Sequence, residues 1–144
     1  MQVREILRVK GSALYTIAPE GRAVDAVKTM AERNMGSLVV VSDGDMVGLV
    51  TFREILQALH RGKGALGEVK IADIMLGTPV TTTPEMELND LRRTMLESGA
   101  RYLPVMEKNR LVGVISFRDV AKAVLEEQDF ENRMLKGYIK NSPA

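Results

Sequence analysis

Gly113-Val114-Ile115-Ser116-Phe117-Arg118-Asp119 restates an earlier phrase, Gly48-Leu49-Val50-Thr51-Phe52-Arg53-Glu54. Each reads glycine, two aliphatics, a hydroxyl, phenylalanine, arginine and a carboxylate. The copies lie 65 residues apart (113 minus 48). The same offset pairs Pro19 with Pro84, Met30 with Met95, Leu38 with Leu103, Val40 with Val105 and Val47 with Val112. The chain is therefore two like units. In each, an aliphatic strand runs into a helix with a hydroxyl and a carboxylate three residues apart at the junction.

Outward from the first copy, Leu38-Val39-Val40-Val41 is an unbroken, mostly β-branched run, which reads as a strand buried on both faces. Asp43-Gly44 is a hairpin-turn signal, and Met46 to Val50 returns. Ala23, Ala26, Val27 and Met30 recur at helical spacing, predicting a helix over about 22–33. Thr16-Ile17 is a brief strand, and Val3, Ile6 and Leu7 mark a short lead-in helix over 2–10. After Thr51, Ile55, Leu56 and Leu59 line the inner face of another helix.

The cycle repeats. Ile71, Ile74 and Met75 form a short helix, and Val80-Thr81-Thr82 a strand. Leu88, Leu91 and Met95 mark a helix over 87–98. A hairpin pairs Tyr102–Met106 with Leu111–Ser116, and a helix follows over 117–127. The spacing predicts an α/β fold of two βαββα repeats about a pseudo-two-fold axis. Repeat one spans 1–62, a linker 63–70, repeat two 71–127 and a separate helical tail 128–144. Phe130, Met134, Leu135, Tyr138 and Ile139 have helical spacing, so the tail is expected to dock on a lobe or a second subunit.

The 144 residues are 45% hydrophobic and 27% charged, as in a folded domain, with nine Met and no Trp. The core must be aliphatic. A formal net charge of +1 makes no electrostatic case for nucleic acid or an anionic membrane. There is no Cys, hence no disulfide framework or thiolate site. No stretch reads as a signal peptide or a membrane span, so a cytoplasmic location and no membrane insertion are expected. His60, the single histidine, reads as a cation at a helix end. Gly62-Lys63-Gly64-Ala65-Leu66-Gly67 matches Gly-x-Gly-x-x-Gly but follows a helix, so it reads as linker and not as a dinucleotide site.

The doubled junction has two readings. Ser/Thr-x-x-Glu at a helix start is a capping box. That suffices for Thr51/Glu54. Ser116/Asp119 fits it less well, because Asp is one methylene shorter. Alternatively, free amides and a positive dipole end suit a phosphate. Ser116 adds a hydroxyl, Arg118 a charge, and a carboxylate one turn in can accept both hydroxyls of a ribose. Together they would hold a nucleoside phosphate.

With Thr16-Ile17-Ala18-Pro19, Thr81-Thr82-Thr83-Pro84 and Arg101-Tyr102-Leu103-Pro104-Val105, the two phrases resemble a tandem pair of CBS domains, named after cystathionine β-synthase. The resemblance covers about residues 1–127. The tail from Glu126 through Ile139 is similar to that of small stand-alone bacterial CBS proteins.

The resemblance implies clefts for an adenosine-containing ligand: AMP, ADP, ATP, NAD or S-adenosylmethionine. It places Asp119 on the ribose and Ser116 and Arg118 near the phosphate, with Arg101 a second phosphate candidate. Val80, Thr81, Tyr102, Leu103 and Pro104 would line the base pocket. In the first copy Thr16, Ile17, Ser37, Leu38, Thr51 and Arg53 hold the equivalent places, and Glu54 departs from the usual Asp. The expected function is a non-catalytic regulatory module, working as a homodimer, with no catalytic residue, metal or catalytic cofactor. The alternative is a docking protein with vestigial clefts that serves an enzyme or transporter. The second copy is expected to be the better ligand site.

Overall fold

The computed structural model describes residues 1–11 and 13–141. The elements run α1 (Val3–Lys10), β1 (Thr16–Ile17), α2 (Ala23–Arg33), β2 (Ser37–Ser42), β3 (Asp45–Thr51) and α3 (Phe52–Arg61). They continue with α4 (Ile71–Ile74), α5 (Leu88–Ser98), β4 (Tyr102–Glu107), β5 (Arg110–Ser116) and α6 (Phe117–Asn141). This is the expected mixed α/β architecture.

The two hairpins superpose in register at the 65-residue offset. Ser37 faces Thr51, and Tyr102 faces Ser116. The pairing slips after Val40 in one hairpin and after Val105 in the other. Both turns place two successive residues at positive φ: Asp43-Gly44 at 52° and 83°, and Lys108-Asn109 at 50° and 64°. Such a turn matches the right-handed twist of the strands it joins.

The repeats differ at their first strand. β1 pairs parallel with β2 through Thr16–Val39 and Ile17–Val40. The strand expected at 80–82 is reduced to one parallel bridge, Thr82 to Val105. Pro104 stands where the first repeat has Val39. Its carbonyl accepts from the Thr82 amide at 3.0 Å, but it has no N–H to extend the ladder.

The packed units exchange their lead-in helices. Ile71 and Ile74 of α4 join the core built by α2, α3, β2 and β3, with Ala26, Met30, Leu38 and Val50. Val3 and Ile6 of α1 join the core built by α5, α6, β4 and β5, with Leu91, Met95, Leu103 and Ile115. Backbone bonds fix each exchange. The amides of Ile71 and Ala72 donate to the carbonyls of Gly21 and Pro19, and those of Val3 and Arg4 to Met86 and Pro84. The linker shares in it: Leu66 is buried in the first lobe.

This exchange explains the glycine of the doubled phrase. A Cβ on Gly48 would lie 2.7 Å from the Leu76 carbonyl oxygen and 2.8 Å from Met75 Sδ. A Cβ on Gly113 would lie 2.8 Å from Leu7 Cδ2. Each glycine lets a lead-in segment lie directly on the strand.

Two further expectations are corrected. Leu56 faces outward at 66% exposure, because Ile55, Ala58 and Leu59 already fill the inner face of α3. The tail is no separate helix: α6 runs unbroken for 25 residues, and its sequence holds no proline or glycine between Phe117 and Lys136 to break it. Phe130, Met134 and Leu135 are about 60% exposed and dock on neither lobe. The side chains at 138 and 139 and residues 142–144 lie outside the described residues.

Candidate functional site

The end of β5 and the start of α6 place Ser116, Phe117 and Arg118 at the wall of a cavity of about 430 Å³ between the repeats. Cavities of this size suit small ligands. Arg101 and Tyr102, at the start of β4, lie alongside because Tyr102 pairs with Ser116. The opposite wall comes from the first repeat: Ala13 to Tyr15 ahead of β1, Asn34 to Ser37 after α2, and Phe52. Lys10 at the end of α1 completes it.

Aromatic contacts fix this wall. The Phe52 and Tyr102 rings meet edge to face, with centroids 6.5 Å apart and planes at 73°. The Arg33 guanidinium lies 4.8 Å from the centre of the Tyr15 ring. Gly36 leaves room for this contact, since a Cβ would overlap the Tyr102 hydroxyl and approach Phe52 Cε2 to 2.7 Å, so that both rings would have to shift. Burial raises the Tyr102 phenol above its ordinary range; Arg101 opposes the shift and Asp119 adds to it. The hydroxyl therefore stays protonated as a donor at neutral pH.

Of the residues expected in the second site, the structure brings together Arg101, Tyr102, Ser116 and Arg118. Val80, Thr81, Leu103, Pro104 and Asp119 do not line this cavity, although Asp119 holds Lys10, which does. Leu103 is fully buried in the lobe core and Pro104 is buried in the hairpin. The 65-residue offset maps Val80 onto Tyr15, and it is Tyr15 that lines this cavity. From the first site, only Ser37 reaches the cavity; Thr16, Ile17, Leu38, Thr51, Arg53 and Glu54 do not.

The two carboxylates differ. Glu54 is 4% exposed and accepts from both the Thr51 amide and the Thr51 hydroxyl, each at 2.7 Å. Its extra methylene folds it back onto its own helix start as a complete capping box. Ser116/Asp119 also caps, and more fully than its shorter side chain suggests. The Asp119 amide donates to Ser116 Oγ at 3.1 Å, and the Ser116 amide donates to Asp119 Oδ2 at 2.8 Å. Asp119 keeps 21% exposure, and Oδ2 also receives the Lys10 ammonium at 2.7 Å.

Burial pushes the Asp119 carboxyl up, but Lys10 and Ser116 outweigh it and hold it below its ordinary value of 3.8. A carboxylate depressed in the folded state adds stability that is fully present above the unfolded pKa. That stability is lost as pH falls through the folded value. The native protein should therefore lose more stability than Asp119→Asn below about pH 4. Denaturant titrations across that range check this; parallel acid limbs for the two proteins would contradict the ion pair.

Lys10, the 13–15 and 34–36 segments, Phe52, Val114 and Phe117 are the site residues that sequence reasoning missed. One signal was available. From Val3 to Thr16 is 13 residues, whereas from Ile71 to Thr81 is 10 (16 minus 3, 81 minus 71). The lead-in of repeat one is three residues longer, and Lys10 lies on the extra turn.

A family model described as "CBS domain" matches residues 3–61 and 71–126. This chain belongs to the CBS-domain family. The CBS pair is 32% identical over 121 residues to the mitochondrial CBS domain-containing protein CBSX3 of Arabidopsis thaliana, covering 81% of this chain and 59% of that protein. Among solved structures it is similar to a putative signal-transduction protein with CBS domains from Burkholderia ambifaria MC40-6. The TM-score is 0.83, with 29% identity over 89% of this chain and 96% of that one. Two further structures share the fold at 23% and 21% identity, with TM-scores of 0.72 and 0.76: CBSX2 in complex with AMP, covering 88% of this chain and 98% of that one, and the CBS pair of MJ0100 in complex with 5-methylthioadenosine and S-adenosyl-L-methionine, covering 86% and 99%.

Proposed function

We propose that this CBS pair is a non-catalytic regulatory module that binds an adenosine-containing ligand in the cleft at Ser116. The observation that carries this is the cavity itself. It joins a helix start, a hydroxyl and the cations Arg101 and Arg118 to an aromatic and aliphatic wall from the other repeat. Anions are stabilised at a helix N-terminus, and guanidinium groups bind phosphate strongly. A flat base would lie against the Phe52–Tyr102 pair and Leu14, with its ribose toward Ser116, beside which Asp119 holds Lys10. The AMP and S-adenosylmethionine complexes of proteins with this fold support the ligand class.

The first copy serves structure in this reading. Glu54 and the Thr51 hydroxyl satisfy each other, leaving neither free for a ribose. The module would act as a homodimer. Phe52 and Leu56 on α3, and Leu125, Phe130 and Met134 on α6, are 54–66% exposed and need cover. A ligand bridging both repeats can shift the geometry that an enzyme or transporter reads only by its differential affinity for two arrangements.

Native mass spectrometry of freshly purified protein tests this. The expected species is a dimer carrying about one adenosine-containing ligand per chain. Ligand-free protein that binds no adenine compound on addition would favour the docking alternative, for which the closed first copy already speaks.

A further inference from the structure

We infer that Lys10 selects the ligand of this cleft, presenting its ammonium to a phosphorylated adenosine and disfavouring a sulfonium. The inference rests on the cleft being the adenosine site, and it narrows the ligand to one bearing phosphate.

Lys10 sits on the last turn of α1, on the stretch that the other lead-in helix lacks. α1 has 8 residues and α4 has 4. The helix exchange carries this first-repeat residue onto the second lobe. There its ammonium donates to the Val114 carbonyl at 2.8 Å and to Asp119 Oδ2 at 2.7 Å. An ammonium has three donors. Two are held by the protein, one remains, and Lys10 lines the cavity at 38% exposure. The two fixed bonds pre-orient the group, so little side-chain entropy is left to lose on binding.

The charge balance agrees. Lys10, Arg101 and Arg118 line the cavity, and Asp119 is the carboxylate that faces Lys10. Three cations against one anion leave the cleft positive. A phosphate is attracted there. The sulfonium of S-adenosylmethionine would enter the same field unfavourably, at short range where solvent screens it least. Lys10 is thus a specificity residue, and Asp119 positions it in addition to meeting the ribose.

Calorimetry on the full chain, with AMP, adenosine and S-adenosylmethionine as probes, tests this on the native protein, Lys10→Met and Lys10→Arg. Native protein should bind AMP more tightly than S-adenosylmethionine. Lys10→Met should weaken AMP about tenfold or more, one charge-assisted bond, while adenosine changes less than about twofold. Lys10→Arg should restore most of the AMP affinity. Equal weakening of AMP and adenosine would mean that Lys10 only ties α1 to the lobe, and would overturn the inference. So would unchanged AMP binding, or S-adenosylmethionine binding as tightly as AMP. Pyrophosphate separates the two readings. If native protein binds pyrophosphate but no adenosine compound, and Lys10→Met loses it, the anion site stands and the adenosine reading falls. Binding of neither overturns both.

Discussion

Ile71→Ala should destabilise the first lobe, although Ile71 belongs by sequence to the second repeat. Ile71 is fully buried and packs with Ala23, Ala26, Met30 and Val50. Truncating a buried isoleucine removes its transfer energy and leaves a cavity, at a cost of about 2–5 kcal/mol. The location of the loss is the sharper part. Native-state hydrogen exchange should speed up at Leu38 to Val40 in β2, while β4 and β5 keep their protection until global unfolding. Val3→Ala should do the reverse, since Val3 is fully buried in the second lobe. Its smaller side chain makes the cost lower. Uniform acceleration across both lobes, or loss confined to the mutated residue's own repeat, would refute the exchange.

Asp119→Ala should weaken the adenosine ligand more than Glu54→Ala does. Asp119 holds Lys10, which lines the cavity, at 2.7 Å, and its ribose contact is the proposal under test. Losing one hydrogen bond to a charged group costs about 1.5–3 kcal/mol, or roughly 10- to 150-fold in affinity. Freeing Lys10 adds to the loss. Glu54→Ala instead removes a cap and a buried carboxylate whose bonds are to Thr51. Its effect should fall on stability, by about 0.5–2 kcal/mol, and leave binding nearly unchanged. Calorimetry and thermal melts on both variants separate these outcomes. Equal, unchanged affinities would remove Asp119 from the site.

Much of this was legible in the residues. The doubled phrase predicted two repeats, and the unbroken apolar runs and Asp43-Gly44 predicted the first hairpin. Such features are written locally, in propensity and period, and the hairpin register followed from them. The strand at 80–82 was misread because Thr and Val favour strands, yet Pro104 on the neighbouring strand has no amide to pair with it. The break expected in α6 came from assuming that the helix stops where the repeat stops. No glycine cap or proline enforces that.

The site was legible in part. Arg101, Tyr102, Ser116 and Arg118 belong to phrases that repeat or resemble the family, and the fold brings them together. Ala13 to Tyr15 and Asn34 to Gly36 carry no charged side chain, and they matter through the repeat they face. Lys10 belongs to no repeated or family-like phrase. By itself, the sequence determined two like units, the hairpin in each and the hydroxyl–carboxylate pair at each helix start, because these depend on neighbours within a few residues or across one turn. The tertiary structure alone decided that the lead-in helices trade lobes and that Lys10 therefore meets Asp119. These are contacts between residues 50 to 109 positions apart (71 minus 21, 119 minus 10), selected by which buried face each short helix can cover. No local period records that choice.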